Sequence, residues 1–498
     1  MSESLKSPIV TYSQDDLYDF IEGATFLATG GGGPKDVARD FLKNSGVTSV
    51  NAISSPNVPD GMSIAFTAEI FAPSAIEVKR DYMATLKSYE GLVSKEPGLL
   101  TGVLPGEVGA INGIVPAIIA GLTDSFLIAD TQADRSLPEL DMGLFQNMVP
   151  YYYLNMLDDG GGVVCQKSYP ASDVDAMLVE KDVADAMDAH PELKGVGGFA
   201  TYPMTGKDLK GYYSQGLLRP YTFDFARRIG VCMKEAGFES LIFTTVKEWL
   251  GSGYTPYRMF KGYLVNARQV AEKQDYGVAD FISSDPLSSM GARVYYSNEN
   301  MIAYHTLWVL VRTVPTPIEI SPMAIGPDAI CYLLTSARYG QGYAFTNEAF
   351  TQDYGDPDFF RTNEIELMGF PEPTLRRADL TANFEREIKA TMSAFGETYQ
   401  GPYIPIEQLQ EGQITVDIPK SRGLKSESSC LTLSGPHPEA VIRYTVDNSE
   451  PDMDSPVYKA PLPLADLAGR ILKARPFHVN GLPGMTTRIE FPSNIQGE

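Results

Sequence analysis

Residues 99–130 constrain the fold most. Leu99 to Leu104 is an apolar run of strand length, and Ser125 to Ala129 is a second. Between them Ile111, Ile114, Val115, Ile118 and Ile119 fall on one face of a helix. Two strands joined through a helix of this length suit a right-handed parallel crossover. The expected class is therefore α/β, a mixed α+β main body built on a parallel β-α-β unit.

The flanking segments fit this class. Ser13 is a capping residue for a helix carrying Leu17, Phe20, Ile21 and Ala24, with Asp16 at the capping-box offset. That helix runs into Gly30-Gly31-Gly32-Gly33, and Pro34 starts a second helix with Val37, Phe41 and Leu42. Ser63 to Ile70 reads as a strand, residues 80–92 as a helix, and another helix is expected to begin near Leu137-Pro138-Glu139. Thr222 is expected to cap a helix bearing Phe225, Ile229, Cys232, Met233 and Ala236 and ending at Gly237. Leu241 to Val246, Met259 to Val265, Arg293 to Tyr296 and Leu307 to Arg312 read as strands. Asp379 opens a helix burying Leu380, Phe384, Ile388 and Phe395, closed by Gly396.

Past residue 400 the pattern changes. Gly401-Pro402 and Pro405 suggest a linker, and short strands with Pro-rich turns follow, the signature of a small all-β sandwich. With 498 residues, about three domains are expected. We place an N-terminal α/β domain at 1–165, a mixed α/β domain completing the body at 166–405, and a β-sandwich accessory domain at 410–498.

Composition narrows the partners. Forty Lys and Arg face 63 Asp and Glu, a formal net charge of −23, which argues against nucleic acid and against anionic membranes. No apolar stretch reaches the roughly 18 residues of a membrane helix, and Met1 to Ser13 lacks a signal pattern, so a cytoplasmic location is expected. Four scattered cysteines without a CxxC are too few for a disulfide scaffold. The four histidines, His190, His305, His437 and His478, show no paired spacing, which disfavours a His-rich zinc site. No GxSxG elbow is present.

Two constellations carry chemistry. The four glycines, Gly30 to Gly33, let backbone N–H groups approach a ligand oxygen, with the positive end of a helix behind them. The alternative is a plain interhelical turn. The second constellation is acidic. Glu107 follows one strand of the β-α-β unit and Asp130 ends the next, and ligands of parallel sheets bind at such strand ends. Asp134, Arg135 and Glu139 lie close by in sequence. Such a group serves as acid and base or holds a hard cation, so a divalent metal ion is a candidate cofactor; the alternative is caps and surface ion pairs. Asn112 either binds a ring amide or caps its helix. Asn298-Glu299-Asn300 is either a turn or a contribution to the site. Asp328 and Asn347-Glu348 are either local caps, the favoured reading, or contributions to the site.

These motifs, in order, resemble those of the S-methyl thiohydantoin desulfurase family. Ala28-Thr29-Gly30-Gly31-Gly32-Gly33 is similar to its glycine run, Gly106-Glu107-Val108-Gly109-Ala110-Ile111-Asn112 to its Glu-Ile-Gly-Gly-x-Asn segment, and Asp130 to Leu140 to its Asp-x-Asp-Gly-x-Gly-Arg-Ala-x-Pro-Glu-Leu signature. Asn298-Glu299-Asn300 and Pro327-Asp328-Ala329-Ile330 resemble later segments. Gln132-Ala133-Asp134-Arg135 departs from the usual Gly-x-Gly-Arg, and Ala110 replaces a glycine. The C-terminal 85 or so residues resemble the chitobiase/β-hexosaminidase C-terminal β-sandwich, through Ile442 to Pro451, Ser455 to Tyr458 and Ile471 to Phe477, with Asn448 in place of a turn glycine.

The resemblance implies a hydrolase acting on a small cyclic amide, hydantoin or thiohydantoin-like molecule. Glu107 or Asp130 would activate water, directly or through a bound metal, Arg135 would pair with a carboxylate of the protein or of the substrate, and Glu139 would orient Arg135. Asn112, Asn298 and Glu299 would join the glycines in holding the substrate. A homo-oligomer is expected for an intracellular enzyme of this size. The competing hypothesis is a non-catalytic small-ligand-binding or subunit protein whose β-sandwich docks a partner. A carbohydrate-active role is disfavoured, because both tryptophans, Trp249 and Trp308, lie outside the β module.

Overall fold

In the computed structural model the described residues are 9–71, 82–94, 100–145, 148–170, 176–193, 196–271, 275–311, 314–335, 341–350, 357–399, 401–418, 430–436, 439–477, 483–493 and 495–496. His437 and His478 lie outside them, as do Leu99, Arg312 and the first residues of the helix expected over 80–92.

The first sheet grows around the parallel unit. Its strands are β1 (Ile9–Ser13), β2 (Ser49–Ile53), β3 (Ser63–Phe71), β4 (Thr101–Pro105), β5 (Phe126–Ile128), β6 (Tyr153–Leu157), β7 (Val163–Ser168) and β8 (Val196–Thr205), in the order β1-β2-β5-β4-β3-β8-β6-β7. The pairs β2/β5, β5/β4 and β4/β3 are parallel, and the flanking pairs are antiparallel. Four helices accompany the parallel strands: α1 (Gln14–Leu27), α2 (Lys35–Ser45), α3 (Met83–Val93) and α4 (Ala110–Leu122). The expected face of α4, Ile111 to Ile119, is buried. Ser13 caps α1 within a full capping box with Asp16.

The second sheet is antiparallel. It comprises β9 (Tyr257–Ala271), β10 (Asp275–Ser283), β11 (Met290–Ser297), β12 (Glu299–Val311), β13 (Val314–Ile325), β14 (Ala329–Leu334) and β15 (Ile365–Phe370), in the order β13-β12-β11-β10-β9-β15-β14. Six residues of the C-terminal end, Val416, Leu431, Leu433, Ile442, Leu472 and Ile489, share one core with Leu307 and Val309 of β12 and Ile318 and Ile320 of β13. They come from two small antiparallel sheets, Thr415–Asp417 with Cys430–Ser434 and Leu462–Pro463, and Val441–Thr445 with Ile471–Phe477 and Thr487–Glu490. Ile495–Gln496 pairs with β12. Asn448 takes the left-handed conformation, φ +69°, that its turn demands.

Several local expectations are corrected. Leu241 to Val246 is not a strand but part of the helix Phe238–Leu250. Its buried residues Ile242, Thr245 and Val246 sit at helical spacing, and packing overrides the β-branched composition. Gly237, φ +77°, caps that helix at its N-terminus, and the preceding helix already ends at Met233. The N-cap of Thr222–Met233 is Tyr221, not Thr222. Near Leu137 only a single tight turn forms, Leu140–Met142. Among the described residues no helix is long and apolar enough to cross a membrane.

One crossing fixes where the glycine run emerges. α1 lies against the helix Thr222–Met233, with Phe20 stacked on Phe223 at 3.8 Å between centroids. A Cβ on Gly23 would fall 1.7 Å from the Ala226 carbonyl oxygen, and one on Gly230 would fall 1.8 Å from the Asp19 carbonyl oxygen. Backbone cannot yield as a side chain can, so the two glycines allow the close approach. Gly230→Ala should destabilise the protein by about 1–3 kcal/mol, because overpacking outweighs the roughly 1 kcal/mol of helix propensity gained. Urea unfolding midpoints check this, and an unchanged midpoint would show that the helices can separate without loss.

Candidate active site

The site lies where the two sheets meet. Beyond β4 the chain passes through Gly106, where a Cβ would lie 2.4 Å from the Phe66 ring, and reaches Glu107. The Asn112 side-chain amide donates to Glu107 Oε1 at 2.8 Å, and the Leu137 N–H donates to Oε2 at 2.6 Å. Asn112 Oδ1 accepts from the Glu69 N–H at 2.9 Å. The N-cap of α4 is Gly109, so Asn112 bridges β3 and Glu107 instead of capping the helix.

The glycine run is a left-handed loop. Thr29, Gly30, Gly32 and Gly33 have φ of 52°, 87°, 68° and 84°. The loop is pinned from both sides: the Ile111 N–H donates to Gly32 O at 2.9 Å, the Asn300 N–H to Thr29 O at 2.6 Å and the Asn347 N–H to Gly30 O at 2.7 Å. The Gly32 N–H donates to Glu299 Oε1 at 3.1 Å. A Cβ on Gly31 would lie 1.9 Å from that same oxygen.

Glu299 opens β12, directly after Asn298, which bends the chain at φ +55°. Asn300 faces away from solvent and ties the hairpin down. Its amide donates to Ile330 O at 2.8 Å, and its Oδ1 accepts from Tyr332 and Asn347, each at 3.0 Å.

These pieces enclose a cavity of ≈ 110 Å³, room for a few waters or one small ring. Its wall includes Gly31, Gly32, Glu107, Asn112, Glu139, Asn298 and Glu299 from the sequence-derived set. Glu69, Gln132, Glu180 and Glu348 also line it. Glu69 had a legible signal, since it is the one charge in the apolar strand Ser63–Phe71. Glu180 had none, because it sits among other acids on a helix that mixes charge and apolar residues.

Burial raises the carboxyl pKa values here. Glu107 is pushed up to about 7 by loss of water, although bonds from Asn112 and Leu137 favour its charged form. Glu299 rises well above the ordinary carboxyl range, through burial first and the nearby charge of Glu107 second. Its Oε2 is buried without a hydrogen-bond partner. Glu180 is also raised to about 7 by burial.

The remaining expected residues stand apart from the cavity wall. Asp130 is fully buried; its carboxylate accepts from Ser54 Oγ at 2.8 Å, the Ser55 N–H at 2.6 Å and the Tyr221 N–H at 2.8 Å. It fastens the ends of β2 and β5 to the helix Thr222–Met233. Asp134 accepts from Arg219 at 2.7 Å and from Trp249 Nε1 at 2.9 Å. Arg135, expected to pair with a carboxylate of the protein or substrate, meets none among the described residues; it donates to the carbonyls of Ser136, Pro327, Asp328 and Asn300 at 3.0–3.2 Å. Glu139 does not orient it, because that carboxylate is turned to Arg386. Gly30 and Gly33 shape the loop without lining the cavity. Among the described residues no three His, Cys, Asp or Glu side chains are grouped as a metal ion requires.

Comparison with known proteins follows this geometry. A family model described as S-Me-THD-like, N-terminal domain, matches residues 15–168, and its companion, S-Me-THD-like, C-terminal domain, matches 179–355. A model described as Fn3 associated matches 431–485. No curated protein matches. A crystal structure of a protein from Chromobacterium violaceum, solved by structural genomics, is similar with a TM-score of 0.61 at 20% identity, covering 80% of this chain and 100% of that one. At that identity the likeness is one of fold. Every residue of the cavity wall lies inside the two consecutive S-Me-THD-like spans, and the chain belongs to the S-Me-THD-like family.

Proposed function

We propose that the protein is a hydrolase of a small cyclic amide or thiohydantoin-like heterocycle. The observation that carries this reading is the pair Glu107 and Glu299, two buried carboxyls on one small cavity with pKa values raised to different heights. Environments that push two carboxyl pKa values apart assign a base and an acid. Glu107, poised at about 7, takes a proton from water. The water oxygen bonds to the ring carbon. The C–N or C–S bond breaks, and the departing nitrogen or sulfur takes the proton that Glu299 holds. The proton on Glu107 then returns to Glu299, restoring both groups. The family name favours such chemistry, and the cavity size suits a single ring.

This reading sets the pH profile. Glu107 must be ionised, so turnover should rise as pH increases through about 7. Glu299 must be protonated, so turnover should fall again at higher pH. Hydantoins, thiohydantoins, S-methyl thiohydantoins and lactams, assayed for ring opening or thiol release, provide the measurement. Glu107→Gln should lower kcat by about 10²–10⁴-fold and abolish the rising limb. Asp130→Asn, outside the cavity, should lower stability and leave both limbs in place. Wild-type turnover in Glu107→Gln would sink the reading.

Stability should respond oppositely at Glu299. A carboxyl with a raised folded-state pKa contributes stability below its unfolded pKa, and that contribution is lost as pH rises. Glutamine keeps an acceptor for the Gly32 N–H and carries no charge. Glu299→Gln should therefore match the wild type near pH 4 and melt at higher temperature near pH 8, while losing turnover. A melting difference independent of pH would contradict this account.

A further inference from the structure

We propose that the cavity selects rings bearing a delocalised amidinium or guanidinium cation and rejects rings bearing a carboxylate. The inference rests on the proposed function only in taking this cavity as the place where the ring is bound. Glu69, Glu107, Glu139, Glu180, Glu299 and Glu348 line it, and no described Lys, Arg or His does. The guanidinium groups that act on its carboxyls are already engaged: Arg386 holds Glu139 at the rim and Asp141, and Arg135 is spread over four backbone carbonyls.

A second observation points the same way. Glu299 is 3% exposed, lines the cavity, and has a buried Oε2 with no hydrogen-bond partner. Asn298 Oδ1, on the same wall, is likewise an unused buried acceptor. A planar N–C–N fork offers donors at the spacing that carboxylate and amide oxygens accept. A carboxylate ligand would meet only further acceptors and like charge.

The protonation state agrees. Glu107 and Glu348 face Glu299 with negative charge, and Arg135 opposes them from behind. Burial and this like charge hold a proton on Glu299. A cationic ring supplies the missing positive charge and displaces that proton, so binding near neutral pH should release protons to the buffer; such a ring already carries on its own nitrogen the proton a departing nitrogen needs, whereas a neutral ring leaves Glu299 protonated as the acid.

Three probes of similar shape test this on the full-length protein: 2-aminoimidazoline as the cation, 2-imidazolidinone as its neutral counterpart and 2-oxoimidazolidine-4-carboxylate as the anion. Calorimetric titrations would be run at physiological ionic strength, where surface charges are largely screened. We expect the cation to bind at least tenfold more tightly than the neutral ring, with an enthalpy that depends on the buffer, and the anion to give no binding. Glu299→Gln should lose most of that preference. Equal affinity for cation and neutral ring, or binding of the carboxylate as tight as that of the neutral ring, would overturn the inference. Selective cation binding with no ring hydrolysed would sink the hydrolase reading alone, whereas hydrolysis of a tightly bound carboxylate ring would sink the selectivity alone.

Discussion

The loop Thr29–Gly33 joins the two halves of the molecule through its backbone. One carbonyl, that of Gly32, is held by α4 beside the first sheet; two others, those of Thr29 and Gly30, are held by Asn300 of the second sheet and by Asn347 in the short turn Asn347–Phe350. The Gly32 N–H is held by Glu299. Side chains are excluded because the approach leaves no room: a Cβ on Gly31 would fall on the Glu299 carboxylate, and one on Gly32 would lie 2.6 Å from Gly109 Cα. The cavity exists because this loop brings the β4–α4 turn and the β11–β12 turn within reach of one another. The crossing of α1 at Gly23 and Gly230 sets the point from which the loop departs.

Such an arrangement opposes stability. Glu107, Glu180 and Glu299 are stripped of water, and bonds from Asn112 and from the backbone offset only part of the penalty. Arg135 supplies the compensating charge behind the wall. It is itself fully buried, and burial lowers its own pKa while Glu299 and Glu372 raise it. Its four carbonyl partners keep the guanidinium hydrogen-bonded without neutralising the carboxyls in front. A direct ion pair would have restored Glu299 to ordinary acidity and removed the difference between the two acids. Strained, poorly compensated charge persists where surrounding structure holds it in place.

The parallel unit was legible from residues 99–130, because hydrophobic period and segment length are local properties. The glycine run was legible because four consecutive glycines are a local feature, but its partners Ile111, Glu299, Asn300 and Asn347 lie far along the chain, and Asn112 read as a ring-amide ligand or a cap and not as the donor to Glu107. Asp130 was misplaced because its three donors come from Ser54, Ser55 and Tyr221, far away in sequence. A strand-end carboxylate looks the same in sequence whether it faces a cavity or a cage of N–H groups. The segment Leu241–Val246 misled because β-branched residues signal a strand only when they do not also lie on one face of a helix. For Asn347 and Glu348 the local pattern favours capping over a site role, yet one pins the glycine loop and the other lines the cavity, contacts that depend on tertiary placement.

The C-terminal module bears on the site through β12. That strand carries Glu299 at its first residue, and Leu307 and Val309 near its other end sit in the module's core. Eight residues of extended chain separate Glu299 from Leu307, about 27 Å. No described lining residue lies beyond Glu348, so the described residues of the module contribute nothing to the wall itself. Its effect is mechanical: by burying one end of β12 against its own sheets and pairing Ile495–Gln496 with Leu310 and Val311, it fixes the strand from which Glu299 projects. A carboxyl whose acidity depends on burial and on distance to a second carboxyl needs such a fixed base.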